Sequence, residues 1–271
     1  MLVRASWSRT VKATTIQLFQ DHLHRVVRAA TGFHFFGRSW LKPWLAYLLS
    51  PVSNRLKRGV AIEFDDFTVR RGEADLYTFA NLFEDYPVPL IRAALLEVDL
   101  VVDLGANVGA FSWLISRLCR EQNLRRQIVA LEPNPENAAF LRSQPFAANV
   151  EIEEAAVGPV DGTGRLIAGA NSVTDHVDFS ETKSGRLVRV RSLASLCPHP
   201  ALVKMDIEGG EWPILRQGLP ANIRHLLLEW HANGSSDHDC RSRPADFIPG
   251  EWKQVSSDLY GSTMWYFRRA A

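Results

Sequence analysis

The second half of the chain alternates between short apolar runs and segments with helical periodicity. Apolar runs of strand character occupy residues 99–105, 126–133, 150–158, 201–210 and 225–231. Residues 110–122 and 135–144 carry apolar positions at helical spacing. Strands that alternate with helices are typical of parallel βαβ units whose sheet is covered on both faces. The pattern therefore predicts a doubly wound α/β domain.

Four of these runs contain an acidic residue at or near their carboxyl end, namely Asp103, Glu132, Asp206 and Glu229. In an open parallel sheet, ligands bind beyond the carboxyl ends of the strands. We therefore expect these four acids to lie along one rim of the sheet, next to a bound ligand.

The N-terminal part of the chain has a different pattern. Residues 11–30 have apolar side chains at helical spacing, residues 59–72 alternate around a turn as in a hairpin, and residues 73–86 have a helical pattern. We predict a helical and hairpin extension at residues 1–90, serving as a cap, a dimer contact or a surface contact, and a ligand-binding domain at residues 91–271.

Charge is distributed unevenly along the 271 residues. The formal net charge is +1, yet residues 1–58 contain ten Lys or Arg and a single acid, Asp21. A basic segment of this kind suits an acidic partner or a membrane surface, or it packs against the acidic remainder of the chain. We favour packing, and peripheral membrane contact and homo-oligomer formation stay open.

The cysteines and the apolar stretches indicate a cytoplasmic protein. The chain has three cysteines, Cys119, Cys197 and Cys240, which lie far apart in the sequence. An odd number without paired spacing argues against a disulfide framework. The most apolar stretch, residues 40–49, is interrupted by Lys42 and is too short to span a bilayer. The first residues lack the apolar core and cleavage site of a signal peptide.

The segment VVDLGANVGAF at residues 101–111 is similar to a dinucleotide-binding turn but differs in its glycines. A G-x-G-x-x-G turn lets bare backbone approach a pyrophosphate. When the pattern starts at Gly105, Asn107 and Ala110 occupy the second and third glycine positions. A phosphate ligand is therefore disfavoured, and a nicotinamide-dependent oxidoreductase remains only an alternative.

S-adenosylmethionine suits this turn better because it has an α-ammonium group and a ribose diol but no phosphate. Asp103 can attract the ammonium, directly or through water. Gly105 and Gly109 let the turn close around the methionine part, and Asn107 tolerates a positive φ. Glu132 can accept hydrogen bonds from both ribose hydroxyls. Either acid alone is also explained as a solvated strand end, but their combination with the glycines favours the ligand.

Several motifs resemble those of the FkbM-type S-adenosylmethionine-dependent methyltransferases. They are VVDLGANVGAFSWL, VALEPNPENAAFL, EEAAVG and VKMDIEGGEWPIL, with RRGEADLYTFANLFEDY upstream. The most specific is KMDIEGGE, because the family typically carries Lys-x-Asp-x-Glu-Gly-x-Glu there. The resemblance covers roughly residues 70–231.

The resemblance implies a class I methyltransferase fold, which is a Rossmann-like, seven-stranded and mostly parallel sheet with an antiparallel last strand. Residues 251–257 and 262–269 offer the final pair of strands. It also implies a cofactor site in which Asp103, Gly105, Asn107 and Gly109 contact the methionine part, Glu132 the ribose and Ala156 the adenine. We add Ala106, Phe111 and Asn134 to this cofactor site.

The segment KMDIEGGEW places three carboxylates, Asp206, Glu208 and Glu211, within six positions. Methyl transfer to oxygen requires the acceptor within ~3–3.5 Å of the methyl group, and a base assists by about 10²–10⁴-fold. We predict Asp206 as the catalytic base or acceptor-orienting residue. His231 is the alternative base, because imidazole titrates near neutral pH.

Plainer roles are open for the other members of this cluster. Glu211 suits the first turn of a helix, where an acid complements the helix dipole, and Lys204 can pair with an acid. Asp206, Glu208 and His231 can together ligate a divalent metal. Nothing in their spacing requires a metal, so we predict a site without one.

Together these features predict an O-methyltransferase that acts on a hydroxyl of a sugar, glycan or secondary metabolite. The identity of the acceptor does not follow from the resemblance. A non-catalytic methyltransferase-like binding protein is the remaining alternative. We expect no nucleic-acid partner, because the chain lacks the alternation of aromatic and basic residues that favours base stacking. The polar residues at 169–176 either contact the adenosine or the acceptor or form a plain hairpin loop, and both interpretations stay open. The loop at residues 231–240 is expected over the active rim and carries no acceptor-specific signature.

Overall fold

The computed structural model describes residues 61–64, 66–70, 75, 78–79, 82, 86–167, 175–179, 184–231, 244, 247–248, 250–257 and 264–270. The basic segment 1–58, which includes the helix predicted at residues 11–30, lies outside these residues. Most of the loops at residues 169–176 and 231–240, together with Cys240, also lie outside them.

The described residues form strands and helices that alternate along the chain, as the sequence predicts. The strands are β1 (Ala61–Phe64), β2 (Phe67–Arg70), β3 (Leu100–Leu104), β4 (Gln127–Leu131), β5 (Glu151–Glu153), β6 (Ala155–Gly158), β7 (Gly162–Ile167), β8 (His176–Asp178), β9 (Arg186–Ser192), β10 (Ala201–Met205), β11 (Ile223–Glu229), β12 (Trp252–Ser257) and β13 (Met264–Arg269). The helices are α1 (Val88–Ala94), α2 (Ala110–Glu121), α3 (Pro135–Arg142), α4 (Leu193–Leu196) and α5 (Glu211–Gln217), with a 3₁₀ helix at Pro145–Asn149.

Seven of these strands form a central sheet in the order β12-β13-β11-β10-β3-β4-β5. The pairs from β11 through β10, β3 and β4 to β5 are parallel. Strand β13 is antiparallel to both of its neighbours, β11 and β12. The structure therefore confirms the class I methyltransferase fold, including the antiparallel last strand.

Helices cover both faces of the central sheet and bury its apolar side chains. On one face, Ile91 of α1 and Leu114 of α2 belong to the same buried cluster as Val101 of β3. On the other face, Trp212 of α5 packs in a second cluster with Val102 of β3. Side chains alternate across a strand, and both faces of β3 are covered by helices. Both faces are therefore apolar, and the sequence of β3 is a continuous hydrophobic run.

A second sheet, in the order β6-β9-β7-β8, corrects one prediction. The sequence suggests a single strand over residues 150–158, but the chain forms two strands separated by Glu154. Only β5 joins the central sheet. Strand β6 instead pairs in parallel with β9, with Ala155 opposite Arg189. A short apolar run does not reveal its pairing partner, which here comes from more than 30 residues later.

The N-terminal hairpin is part of the main core. Strands β1 and β2 pair around the predicted turn, and Phe67 of β2 is fully buried. Its ring stacks on Phe79 with centroids 4.6 Å apart and lies 5.9 Å from the ring of Trp113 in α2. The domain boundary at residue 90 stays a prediction, but these described side chains pack into the core that covers the central sheet.

Cys119 and Cys197 are buried and free of disulfide bonds. Within the described residues, no helix has the length and apolar character needed to cross a bilayer.

The packing of the hairpin predicts the effect of removing its central ring. Replacing Phe67 by Ala leaves a cavity among Phe79, Trp113 and Phe146. It should lower the free energy of unfolding by about 3–5 kcal/mol. Leu96→Ala serves as the control, because Leu96 is 64% exposed and should change stability by about 0.5 kcal/mol or less. Urea unfolding followed by circular dichroism measures both. Equal effects of the two substitutions would show that the hairpin does not belong to the core.

Candidate active site

A cavity of about 200 Å³ lies at the carboxyl ends of the central strands. Seven of the predicted site residues line it: Gly105, Ala106, Asn107, Phe111, Glu132, Ala156 and Asp206. Glu208 and Glu229 line it as well. Three of the four acids expected on the rim, Glu132, Asp206 and Glu229, therefore face one shared space.

The turn after β3 brings the cofactor and acid regions together. Gly105 has φ +72°, and a Cβ at this position would lie 1.8 Å from the backbone oxygen of Asp206. The backbone N–H groups of Gly105 and Ala106 both donate to the carbonyl of Leu131 at the end of β4. Only glycine allows the chain to pass this close to Asp206 while adopting a positive φ.

The remaining residues of the turn have two different roles. Asn107 has φ +50°, which confirms that it occupies the left-handed region, and its Oδ1 is buried without a hydrogen-bond partner in the described structure. Gly109 does not line the cavity. A Cβ there would lie 2.2 Å from Leu141 and 2.8 Å from Phe146, so this glycine allows α2 to start close to α3.

Asp103 lies in the interior, although the sequence predicts that it contacts the ligand. Its side chain is fully buried and does not line the cavity. One oxygen accepts a 2.7 Å hydrogen bond from Ser112 Oγ of α2, and the other lies 3.4 Å from Lys204 Nζ. The side chain of Asp103 thus faces Ser112 and Lys204 rather than the cavity, and its predicted contact with an ammonium group stays a prediction.

Lys204 is a buried cation at the centre of the site, for which the sequence predicts only pairing with an acid. Its Nζ donates to the carbonyls of Leu104 (3.3 Å) and Gly105 (2.8 Å) and lies 3.3 Å from Asp206 Oδ2. Burial disfavours its charged form, but the nearby carboxylates of Asp206 and Asp103 outweigh burial and raise the pKa of Lys204. A lysine inside an apolar strand run is the signal that was available, because a buried ammonium must be paired.

Glu132 holds two loops of the cavity in place. Its Oε2 accepts the N–H of Asn107 at 2.7 Å and its Oε1 accepts the N–H of Asn134 at 2.9 Å. Burial raises the pKa of Glu132 to about 7, although these two hydrogen bonds and the charge of Lys204 act in the opposite direction. Because each carboxylate oxygen has two lone pairs, both can still accept a bond from a ligand.

Asn134 caps a helix and does not line the cavity. Its side-chain oxygen accepts the N–H of Glu136 at 2.9 Å, as an N-cap residue does. Its Nδ2 donates to Asp175 at 2.7 Å, and Asp175 itself lines the cavity. The Asn-Pro pair that begins α3 was a sequence signal for this capping role.

The loop after β10 carries the acid cluster. Glu208 and Gly209 both have positive φ, at +52° and +95°, so the loop turns sharply before α5. Burial raises the pKa of Glu208 to about 7, with Asp206 adding to the effect and His231 opposing it. Glu211 is the first residue of α5, as predicted, and is fully buried. Its Oε1 accepts the N–H of Ile207 at 3.1 Å.

His231 lies beside this cluster but does not line the cavity. Its Nδ1 is 2.9 Å from Glu211 Oε1, and its Nε2 is 3.6 Å from Glu208 and 4.0 Å from Asp206. Burial lowers the pKa of His231, but the hydrogen bond and charge of Glu211, with Asp206 and Glu208, outweigh it and raise the pKa to about 9. An imidazole that is protonated at neutral pH cannot accept a proton, which argues against the alternative role as general base.

Residues outside the predicted motifs also line the cavity. Thr78, Leu82 and Tyr86 reach the cavity from the segment before α1, and Val177 and Phe179 reach it from the second sheet. Of the described residues, Asp206, Glu229 and His231 have the spacing of a metal-binding group.

Comparison with known proteins gives one family match. The sequence model of the methyltransferase FkbM domain matches residues 103–246, which is more than half of the chain. A comparison with curated proteins found no match.

Similar solved structures share little sequence with the chain. An FkbM methyltransferase from Methylobacillus flagellatus is 15% identical over 71% of this chain and 53% of its own length, with a TM-score of 0.42. The chain thus spans about half the length of that protein. The S-adenosylhomocysteine-bound methyltransferase PaMTH1 from Podospora anserina is 14% identical over 73% of this chain and 79% of its own length, with a TM-score of 0.36. A putative O-methyltransferase from Klebsiella pneumoniae is 12% identical over 68% and 78%, with a TM-score of 0.37.

The close approach at Gly105 predicts a large cost for a methyl group there. Gly105→Ala should lower stability by several kcal/mol more than Gly218→Ala, measured by urea unfolding. Both glycines have positive φ, so both changes carry backbone strain of about 1–2 kcal/mol. A Cβ at Gly218, however, has no atom within 4 Å. Equal losses in the two variants would show that the turn does not press against Asp206.

The burial of Glu132 predicts a pH dependence of stability. Its folded-state pKa of about 7 is above the ordinary value of 4.5, so its contribution is full below pH 4.5 and is lost as pH rises through 7. Gln does not titrate. The stability of Glu132→Gln relative to the unsubstituted chain should therefore improve by about 2–3 kcal/mol between pH 5 and pH 8. Urea unfolding at both pH values measures this difference, and an unchanged difference would contradict a buried, proton-binding Glu132.

Proposed function

The chain belongs to the family of methyltransferases with an FkbM domain, and from this premise we propose the donor and the type of acceptor. The donor is S-adenosylmethionine. The acceptor is a hydroxyl group of a sugar, a glycan or a secondary metabolite, and the product is its methyl ether.

One observation carries this proposal: a single cavity joins Glu132 and Ala156 at one end to Asp206 and Glu229 at the other. The glycine turn lies between the two ends, in van der Waals contact with the backbone of Asp206. A two-substrate transfer needs this arrangement, because the acceptor oxygen has to reach the methyl group at ~3–3.5 Å.

The donor binds at the end formed by the turn and β4. Glu132 accepts hydrogen bonds from the ribose hydroxyls, and Ala156 lies against the adenine. The buried Oδ1 of Asn107, which has no partner in the described structure, accepts a hydrogen bond from the α-ammonium. Asp103 does not contact the ligand. Its contacts with Ser112 and Lys204 stabilise the strand end from which the turn starts.

The acceptor binds at the end formed by β10 and β11. Asp206 is only 25% exposed in its side chain, and it orients the acceptor hydroxyl by accepting its hydrogen bond. The acceptor oxygen attacks the methyl carbon while the carbon–sulfur bond breaks, so the sulfonium becomes a neutral thioether. The hydroxyl proton leaves to the carboxylates of this end.

The roles outside the cavity stay predictions. They include contact of residues 1–58 with a membrane surface, homo-oligomer formation, a cytoplasmic location and the lack of a nucleic-acid partner.

The proposal predicts saturable binding of S-adenosylmethionine that depends on Glu132. Glu132→Gln removes charge-assisted hydrogen bonds to the ribose, worth ~1.5–3 kcal/mol, so calorimetry should show binding about 10–100-fold weaker. Glu151→Gln is the matched control, because Glu151 is an exposed residue of β5 outside the cavity lining.

Two outcomes would contradict the proposal. The first is the absence of binding heat in protein that circular dichroism shows to be folded. The second is NADH binding more tightly than S-adenosylmethionine, which would favour the oxidoreductase alternative. If the donor binds, isotopically labelled S-adenosylmethionine and a panel of hydroxyl-bearing acceptors test the transfer itself, and binding without transfer to any acceptor favours a non-catalytic protein.

A further inference from the structure

The carboxyl ends of β10 and β11 bring together three side chains with metal-binding groups. Asp206 follows β10, Glu229 is the last residue of the neighbouring parallel strand β11, and His231 comes two residues later. One ligand atom from each lies within 4.8 Å of the others. Ligands around a divalent first-row ion are each about 2.0–2.2 Å from it, so small side-chain movements bring all three to bonding distance.

The two side-chain oxygens of Asp206 face different partners. Its Oδ2 lies 3.3 Å from the ammonium of Lys204, whereas its Oδ1 is the oxygen nearer to His231, 4.0 Å from Nε2. Because Lys204 is anchored to two backbone carbonyls, it fixes the orientation of Asp206. Lys204 thus pairs with Oδ2, and Oδ1 faces the other two members of the cluster, Glu229 and His231.

His231 is held by its other ring nitrogen. Nδ1 lies 2.9 Å from Glu211 Oε1, and Glu211 is fully buried and also anchored by the N–H of Ile207. A carboxylate that accepts the Nδ1–H bond fixes the ring orientation, as is common for metal-bound histidines. Nε2 becomes a ligand when the cation displaces its proton, so that metal binding releases one proton from His231. Nε2 then faces Asp206 and also Glu208, whose Oε2 is 3.6 Å away.

The geometry points to a divalent cation site made by Asp206, Glu229 and His231, at the acceptor end of the cavity. This departs from the expectation of a metal-free site and replaces the Asp206–Glu208–His231 set considered from the sequence. Two carboxylates and one imidazole suit Mn²⁺ and similar first-row ions. Asp206 and Glu229 line the cavity, so the remaining coordination positions open toward the acceptor.

The role of the cation rests on the proposed function, whereas its binding does not. A bound cation coordinates the acceptor oxygen and lowers the pKa of its hydroxyl, so that a nucleophilic alkoxide forms near neutral pH. Asp206 then orients the acceptor through the cation. An acceptor with two neighbouring oxygens, such as a vicinal diol, fills two of the open positions, and this selects polyhydroxylated acceptors over isolated alcohols.

Manganese binding to the full chain tests the site without any cofactor or acceptor. The protein is stripped with EDTA, dialysed and titrated with Mn²⁺, while the electron paramagnetic resonance signal of free Mn²⁺ reports the unbound ion. We expect one site of micromolar affinity. Spin-echo measurements should show modulation from a coordinated nitrogen, and His231→Gln should abolish this modulation.

Three variants separate ligation from general attraction of a cation to an acidic cavity. Glu229→Gln should weaken Mn²⁺ binding at least tenfold, and Glu211→Gln, which releases the ring of His231, should weaken it by about 10–100-fold. Glu132→Gln is the matched control at pH 8, where Glu132 with its pKa of about 7 is mostly ionised. It then removes a charge from the donor end of the same cavity and should leave Mn²⁺ affinity within twofold. Circular dichroism checks that each variant is folded.

Each contrary result overturns the site. No binding below 1 mM Mn²⁺ in folded protein does so, and so does an equal loss in Glu132→Gln and Glu229→Gln. Binding that persists without nitrogen modulation removes His231 from the ligand set and also overturns the proposal. Calorimetry with S-adenosylmethionine on the same stripped protein distinguishes the failures, because donor binding without Mn²⁺ binding rejects only the metal site.

Discussion

The buried ammonium of Lys204 connects the turn after β3 to the acid at the end of β10. Lys204 is only 4% exposed and lies on β10, beside Asp103 of β3 in the strand register. It reaches Asp103, Asp206 and the carbonyls of Leu104 and Gly105. Because a charge in the protein interior has to be paired and hydrogen-bonded, Lys204 determines where both acids point. The side chain of Asp103 is therefore held in the interior, whereas Asp206 lines the cavity.

The glycine turn adds a steric constraint to this electrostatic one. At Gly105 the backbone passes so close to Asp206 that no side chain fits, and the turn is fixed on its other side by Leu131 and Glu132. The turn and Asp206, which we propose to bind the donor and the acceptor, are therefore held close together. For a reaction whose rate depends on the distance between two substrates, this coupling is the physical basis of catalysis by positioning.

Much of this architecture is predictable because it depends on periodicity. Continuous apolar runs and helical spacing give the order of strands and helices, and the acid at each strand end places Glu132, Asp206 and Glu229 on one rim. What the sequence leaves open depends on partners that are distant along the chain. Asp103 is buried beside Lys204, which comes about 100 residues later, and does not line the cavity. His231 looks like a base until the surrounding acids are seen to raise its pKa to about 9.

Local signals were available for some of the missed roles and lacking for others. The Asn-Pro start of α3 marks Asn134 as a helix cap, and a lysine in an apolar strand marks Lys204 as paired. No local signal separates β6 from β5, because pairing with β9 is decided by the second sheet as a whole.

A crystal structure of the chain with S-adenosylhomocysteine tests the central claim most directly. The account predicts ribose hydroxyls within hydrogen-bond distance of Glu132, while Asp103 keeps its contacts with Ser112 and Lys204. A ligand ammonium bound to Asp103, with Lys204 displaced into the cavity, would contradict it.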